Sequence, residues 1–148
     1  MGQSLHQNYA HLVFSTKDRE PMIFGEMEPK LYSYLGGIVR ELGAGLLAIN
    51  GMEDHVHLLI RTNKNMADAD FMKNLKGSSS KWMNEEGNVK FKWQSGYGWF
   101  SVSAKDLDLA RGYLAKQKEH HKVLTFQDEY RRFLKNYGVE YDEAYVWE

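Results

Sequence analysis

Leu46–Arg61 reads LLAINGMEDHVHLLIR, two short apolar runs separated by the acidic pair Glu53-Asp54. Runs of this length, bounded by polar turn residues, suit β-strands, and the tight spacing makes a hairpin the simplest connection. Side chains alternate along a strand, so His55 and His57 share one face while Val56, Leu58 and Ile60 point through the other. One strand therefore carries both a core-facing apolar row and a pair of imidazoles.

Working outward, Tyr9 to Ser15 (YAHLVFS) reads as a first strand, and the polar stretch Lys17 to Pro21 (KDREP) as the break after it. From Glu26 to Leu42 the positions Met27, Leu31, Tyr34, Leu35, Ile38, Val39 and Leu42 recur at helical steps. Gly36 and Gly37 each cost about 1 kcal/mol of helix propensity, which calls for a close packing contact, and Gly43 ends the helix in a left-handed conformation. A second helix is expected over Met66 to Glu86, with a break near Gly77-Ser78-Ser79-Ser80. Trp93 to Ser103 (WQSGYGWFSVS) reads as a loop entering a fourth strand. Asp106 to Lys122 and Thr125 to Asn136 follow as helices, with Asp106 and Thr125 as caps.

The order β-α-β-β-α-β followed by helices is the split βαβ, or ferredoxin-like (RRM-like), arrangement of the α+β class. It predicts an antiparallel sheet with helices on one face and further helices at the C-terminus, all in a single domain spanning 1–148. The chain has 148 residues, 43% hydrophobic and 14% aromatic, enough for a real core. No apolar run is long enough to cross a bilayer and the N-terminus lacks a signal-peptide pattern, so a soluble cytoplasmic protein is expected. There is no cysteine, which removes disulfides and thiolate zinc sites and leaves His, carboxylate and amide oxygen for any metal. A net charge of −1 gives no general nucleic-acid signal. Lysines do concentrate in the middle (Lys64, Lys73, Lys76, Lys81, Lys90, Lys92), while Glu140, Asp142, Glu143 and Glu148 mark an acidic tail.

His55 and His57 stand about 7 Å apart along the strand backbone, close enough for both rings to reach one ion. A third ligand is needed, and Tyr113 and Gln117 lie four residues apart on one face of the late helix. The amide oxygen of Gln117 is a neutral, hard donor suited to Mg²⁺ or Mn²⁺. A tyrosine of ordinary pKa near 10 is a weak nucleophile until a base or a polarised phosphate assists it. Asp54 is placed either to orient a histidine or simply to make the turn.

MEDHVHLLI (Met52 to Ile60) resembles the His-hydrophobe-His motif of the single-tyrosine transposases of the IS200/IS605 group. YAHLVFSTKDR, LKGSSSKWMN (Leu75 to Asn84), WQSGYGWFSVS and YLAKQKEHH (Tyr113 to His121) resemble the same family in the same order. The resemblance implies a DNA transposase that cleaves and rejoins single-stranded DNA at insertion-sequence ends through a 5′-phosphotyrosine. It assigns Tyr113 as nucleophile, and His55, His57 and Gln117 as ligands of a divalent ion. It also implies recognition of DNA hairpins at element ends, with Lys17, Arg19, Lys73, Lys76 and Lys81 as phosphate contacts, and a homodimer whose Tyr113 and Gln117 reach the partner's histidines in trans. Glu53 departs from the proline frequent before the Asp-His pair, and His120 and His121 match no metal position of the motif. A replication initiator or relaxase shares the histidine logic but commonly carries paired tyrosines. A domesticated, non-catalytic hairpin-binding protein of the same fold, or a ferredoxin-like homodimer with no nucleic-acid role, are the other readings.

Overall fold

The computed structural model describes residues 2–87 and 90–148. Four strands, β1 (Tyr9–Ser15), β2 (Gly45–Met52), β3 (His55–Arg61) and β4 (Gly98–Val102), form one sheet in the order β2-β3-β1-β4. Each neighbouring pair is antiparallel. The helices are α1 (Met27–Glu41), α2 (Asp68–Glu86), α3 (Leu107–Ala115), α4 (Gln117–His120) and α5 (Phe126–Asn136). This is the expected split βαβ order. The two strands buried along almost their whole length, β1 and β3, take the centre, where both faces are covered.

Register sorts the side chains. Ala10, Leu12 and Phe14 lie opposite Ile60, Leu58 and Val56, and this row joins Leu31, Leu35, Ile38 and Val39 of α1 and Phe71, Met72 and Leu75 of α2 in the main core. On the reverse face Val13 lies opposite His57 and Ser15 opposite His55. That face is covered by the C-terminal helices, with Val13 and Phe100 packed against Phe126, Tyr130 and Leu134 of α5. The sheet is thus sandwiched: α1 and α2 on one side, the later helices on the histidine side.

Several local expectations meet their physical tests. Gly43 ends α1 at φ 76°. At Gly36 a Cβ would stand 3.0 Å from the Leu46 side chain, the close contact its helix position calls for, whereas Gly37 faces open space. Helix α2 runs unbroken through Gly77–Ser80. The buried Ser79 hydroxyl donates to the Leu75 carbonyl at 2.7 Å and accepts from the Trp93 indole at 2.9 Å, so the small residues make a seam for Trp93 rather than a break. The late helix is the reverse case. It is divided at Lys116 (φ −99°, ψ 15°), and α4 restarts at Gln117. Thr125 caps α5 by accepting from the Asp128 amide at 3.2 Å. Asp106 makes no side-chain cap; Ser103 accepts from the Lys105 amide instead.

Candidate active site

β3 delivers His55 and His57 to the reverse face fully buried, with ring centroids 5.1 Å apart. Each ring is fixed through Nδ1. The Asp54 carboxylate lies 2.7 Å from His55 Nδ1, so the turn aspartate orients its neighbour. His11 Nε2, from β1, lies 2.7 Å from His57 Nδ1. Pinned from behind, both rings aim Nε2 at the C-terminal helices.

Tyr113 lies in the last turn of α3 and Gln117 begins α4. Across the break at Lys116 the two side chains still meet: the Tyr113 hydroxyl and the Gln117 amide, at 3.1 Å, both donate to Oε2 of Glu129. Asn50 Nδ2 donates to the Leu114 carbonyl at 2.8 Å, and Lys118 donates to the Gly51 carbonyl at 2.6 Å, which ties α3 and α4 to β2. The Gln117 oxygen reaches 3.3 Å from His55 Nε2. The residues expected to act together are therefore brought together, within one chain.

Two members of the cluster are not in the sequence-based set. Glu129 of α5 is 1% exposed, and its Oε1 sits 2.8 Å from His57 Nε2, 3.1 Å from His121 Nε2 and 3.5 Å from His55 Nε2. His121, expected to lie outside the metal positions, turns inward because α4 stops at His120; its Nδ1 donates to the Leu124 carbonyl at 2.6 Å. The signal for Glu129 is present in the sequence: it interrupts the apolar stripe Phe126, Tyr130, Phe133, Leu134 of α5, where a carboxylate requires partners. His55, His57, His121 and Glu129 place donor atoms within 4.8 Å of one another, a group able to hold a metal ion.

Electrostatics follow from burial and pairing. Burial lowers His57 to about 4, against the opposing pull of Glu129. Burial, then the neighbouring His57, lowers His11 far below its ordinary value. His55 rises despite burial because Asp54 and Glu129 accept from it. Glu129 is the converse: burial alone would raise it, but the imidazoles of His121, His55 and His57 hold it well below the carboxylate range. Burial and the Glu129 charge push the Tyr113 phenol up, so without help it stays protonated.

The family described as transposase IS200 like matches residues 4–117. The chain belongs to this family. It is 34% identical over 79 residues to the ISDra2 transposase TnpA of Deinococcus radiodurans, a match covering 53% of this chain and 56% of the relative. It is 29% identical over 120 residues to the transposase for insertion sequence element IS200 of Salmonella typhimurium, covering 76% and 78%. A crystal structure described as a transposase of Deinococcus radiodurans superposes with a TM-score of 0.65 at 26% identity, over 79% of this chain and 96% of that one. A REP-associated tyrosine transposase bound to a REP hairpin shares the fold, with a TM-score of 0.62 at 13% identity, over 96% and 93%. The family match includes Tyr113 and Gln117 but ends before His121 and Glu129.

The basic residues divide. Arg19 is half-buried, stacks over Trp147 at 5.6 Å, and lines a cleft with Asp54, His121 and Phe126 beside the cluster. Lys17 is exposed on the same turn. Lys73, Lys76 and Lys81 belong to α2, on the far side of the sheet. Lys76, one of the expected phosphate contacts, donates its ammonium to the carbonyls of Gln94, Ser95 and Gly96 at 2.5, 3.0 and 2.8 Å, clasping the loop before β4. Burial lowers its pKa to about 8. Arg132 and His120 line a cleft of about 570 Å³ onto which Tyr113 and Glu129 open.

A pH dependence of stability follows. His57 and His11 are neutral when folded but take up protons near pH 6.5 when unfolded, so acid favours the unfolded chain. Glu129 acts in the same sense at lower pH, and the raised His55 opposes both. The melting temperature in chelator-containing buffers is expected to fall steadily from pH 6.5 to pH 4. A flat or rising profile would contradict the buried neutral histidines.

Proposed function

We propose that this chain, as one domain spanning 1–148, cuts and rejoins single-stranded DNA at insertion-sequence ends, with Tyr113 as nucleophile. The observation that carries this is the meeting of Tyr113 and Gln117 with the buried pair His55 and His57 around one carboxylate. The donor set fits a divalent cation, with His55, His57 and Gln117 to hold it; of Mg²⁺ and Mn²⁺, the ions expected, the imidazole nitrogens fit Mn²⁺ better. Such an ion, when bound, supplies polarisation of a non-bridging phosphate oxygen and stabilisation of the departing oxygen. The remaining chemistry belongs to side chains. The Tyr113 oxygen bonds to phosphorus as the bond from phosphorus to the 3′ oxygen breaks, leaving a 5′-phosphotyrosine and a 3′ oxygen that takes a proton from solvent to become a free 3′-hydroxyl. The tyrosine proton has an acceptor already in place at Glu129 Oε2. Attack by another DNA 3′-hydroxyl reverses the step, so no external energy source is consumed.

The substrate in this reading is a single-stranded hairpin, met by a protein acting in the cytoplasm at the nucleoid. Among the described residues no helix is long and apolar enough to cross a membrane. Lys17 and Arg19, beside the cluster, are the proposed phosphate contacts. Lys73 and Lys81 serve strand segments that pass behind the sheet. Among the described residues no helix presents the basic face of a groove reader, so binding is expected to favour a labelled hairpin over a plain duplex of the same sequence at the same salt by roughly 10-fold or more. Equal affinity would count against this substrate. Hairpin binding without any covalent product under metal would favour the domesticated binding protein instead.

The homodimer with sites shared in trans belongs to the same proposal. Within one chain the site already closes in cis, so a trans dimer repeats these contacts with α3 and α4 exchanged. A mixed dimer of His57→Ala and Tyr113→Phe protomers, formed by co-expression with two tags, is expected to retain about half the wild-type cleavage. A folded, DNA-binding but inactive mixed dimer would assign activity to the cis site.

A further inference from the structure

The family pattern stops at Gln117, yet the histidine cluster does not. Three imidazoles converge, and each is held by a dedicated partner on the nitrogen facing away: Asp54 at 2.7 Å behind His55, His11 at 2.7 Å behind His57, and the Leu124 carbonyl at 2.6 Å behind His121. Fixing Nδ1 so that Nε2 is presented is the outer-sphere arrangement of metal-binding histidines. The point of convergence is Glu129 Oε1, at 2.8, 3.1 and 3.5 Å from the three Nε2 atoms. Bonds of about 2.0–2.1 Å around a tetrahedral ion put neighbouring donors roughly 3.3 Å apart; the three distances to Glu129 Oε1 bracket that figure, and all four donors lie within 4.8 Å of one another.

Resting on the transposase reading, we infer that His121 and Glu129 are metal ligands alongside His55 and His57, making a three-histidine, one-carboxylate centre selective for a first-row transition dication over Mg²⁺. Gln117, whose oxygen lies 3.1 Å from His121 Nε2, remains within reach as a further donor. The selectivity comes from donor chemistry. Mg²⁺ demands oxygen ligands in near-ideal octahedral geometry and keeps its waters, whereas imidazole suits Zn²⁺, Co²⁺ and their neighbours. The two oxygens of Glu129 divide their work, Oε1 facing the imidazoles and Oε2 the Tyr113 hydroxyl, so the ion and the nucleophile share one carboxylate.

Cobalt(II) chloride is the probe, because its visible absorption reports ligand number and its titration gives affinity without any turnover. The full chain is expected to bind Co²⁺ with the intense spectrum of a four- or five-coordinate site, and Mg²⁺ at 100-fold excess should displace little of it. His121→Asn keeps a donor for the Leu124 carbonyl and removes the ligating nitrogen; Glu129→Gln keeps the shape and removes the charge. Each should weaken Co²⁺ binding roughly 10- to 100-fold or more. Thermal unfolding of the metal-free variants verifies folding, and if one variant is unfolded the other decides. Wild-type affinity and spectrum in a folded variant would overturn the ligand assignment, and Mg²⁺ binding as tight as Co²⁺ would overturn the selectivity. The same preparations are incubated with hairpin DNA and run on a denaturing gel. Absence of a covalent band in the wild type would strike the transposase reading alone, leaving the cobalt result to judge the ligand set.

Discussion

Tyr113→Phe is expected to lower covalent attachment to single-stranded hairpin DNA by at least about 1,000-fold while leaving hairpin affinity within a few-fold of wild type. The change removes one oxygen and keeps the ring, which packs edge-on against Phe133 with centroids 5.5 Å apart. Glu129 Oε2 is not orphaned by the loss, since Gln117 still donates to it at 3.1 Å. Folding should therefore persist, and with it the clefts that line the site. Labelled DNA and a denaturing gel check the first part, and a salt-matched binding titration the second. A band of wild-type intensity in the variant would move the nucleophile elsewhere.

His57→Ala should instead remove several properties at once. The ring is fully buried between His11 and Glu129, so its loss opens a cavity and leaves a buried carboxylate with one partner fewer. A destabilisation of about 2–4 kcal/mol is expected in the metal-free chain. Metal affinity should drop by roughly 100-fold and tyrosyl-DNA formation with it, because a site built from few ligands does not tolerate the loss of one. Calorimetric titration and the same gel assay report the two losses. Unchanged cleavage in chelated buffer would remove the metal from the mechanism.

Much of this was legible in the chain because simple periodicities govern it. The alternation of β1 and β3 placed His55 and His57 on one face and Val56, Leu58 and Ile60 in the core, and both strand boundaries agree with the structure. The four-residue spacing of Tyr113 and Gln117 correctly set them side by side, although the helix between them is broken. Lys116 carries no breaking signal, since Ala115, Lys116 and Gln117 are all good helix formers; the kink follows from tertiary ties to β2. Ser79 misled in the other direction, because a Gly-Ser run weakens a helix only when nothing packs on it. His121 and Glu129 were harder still. Their meeting depends on how α5 folds back over the sheet, a long-range fact that no local pattern encodes, and the only trace is a carboxylate set in an apolar stripe. Lys76 shows the limit of charge counting: its ammonium is committed to three carbonyls.

Mapping the adduct itself shows whether Tyr113 forms the covalent bond to DNA. Wild-type chain is incubated with hairpin DNA and a divalent metal, digested with protease and nuclease, and analysed by mass spectrometry for a peptide carrying a nucleotide 5′-phosphate. A single modified peptide containing Tyr113, formed only when metal is present, is expected. A nucleotide on Tyr130 or Tyr137, or an adduct that forms equally well in chelator, would contradict it.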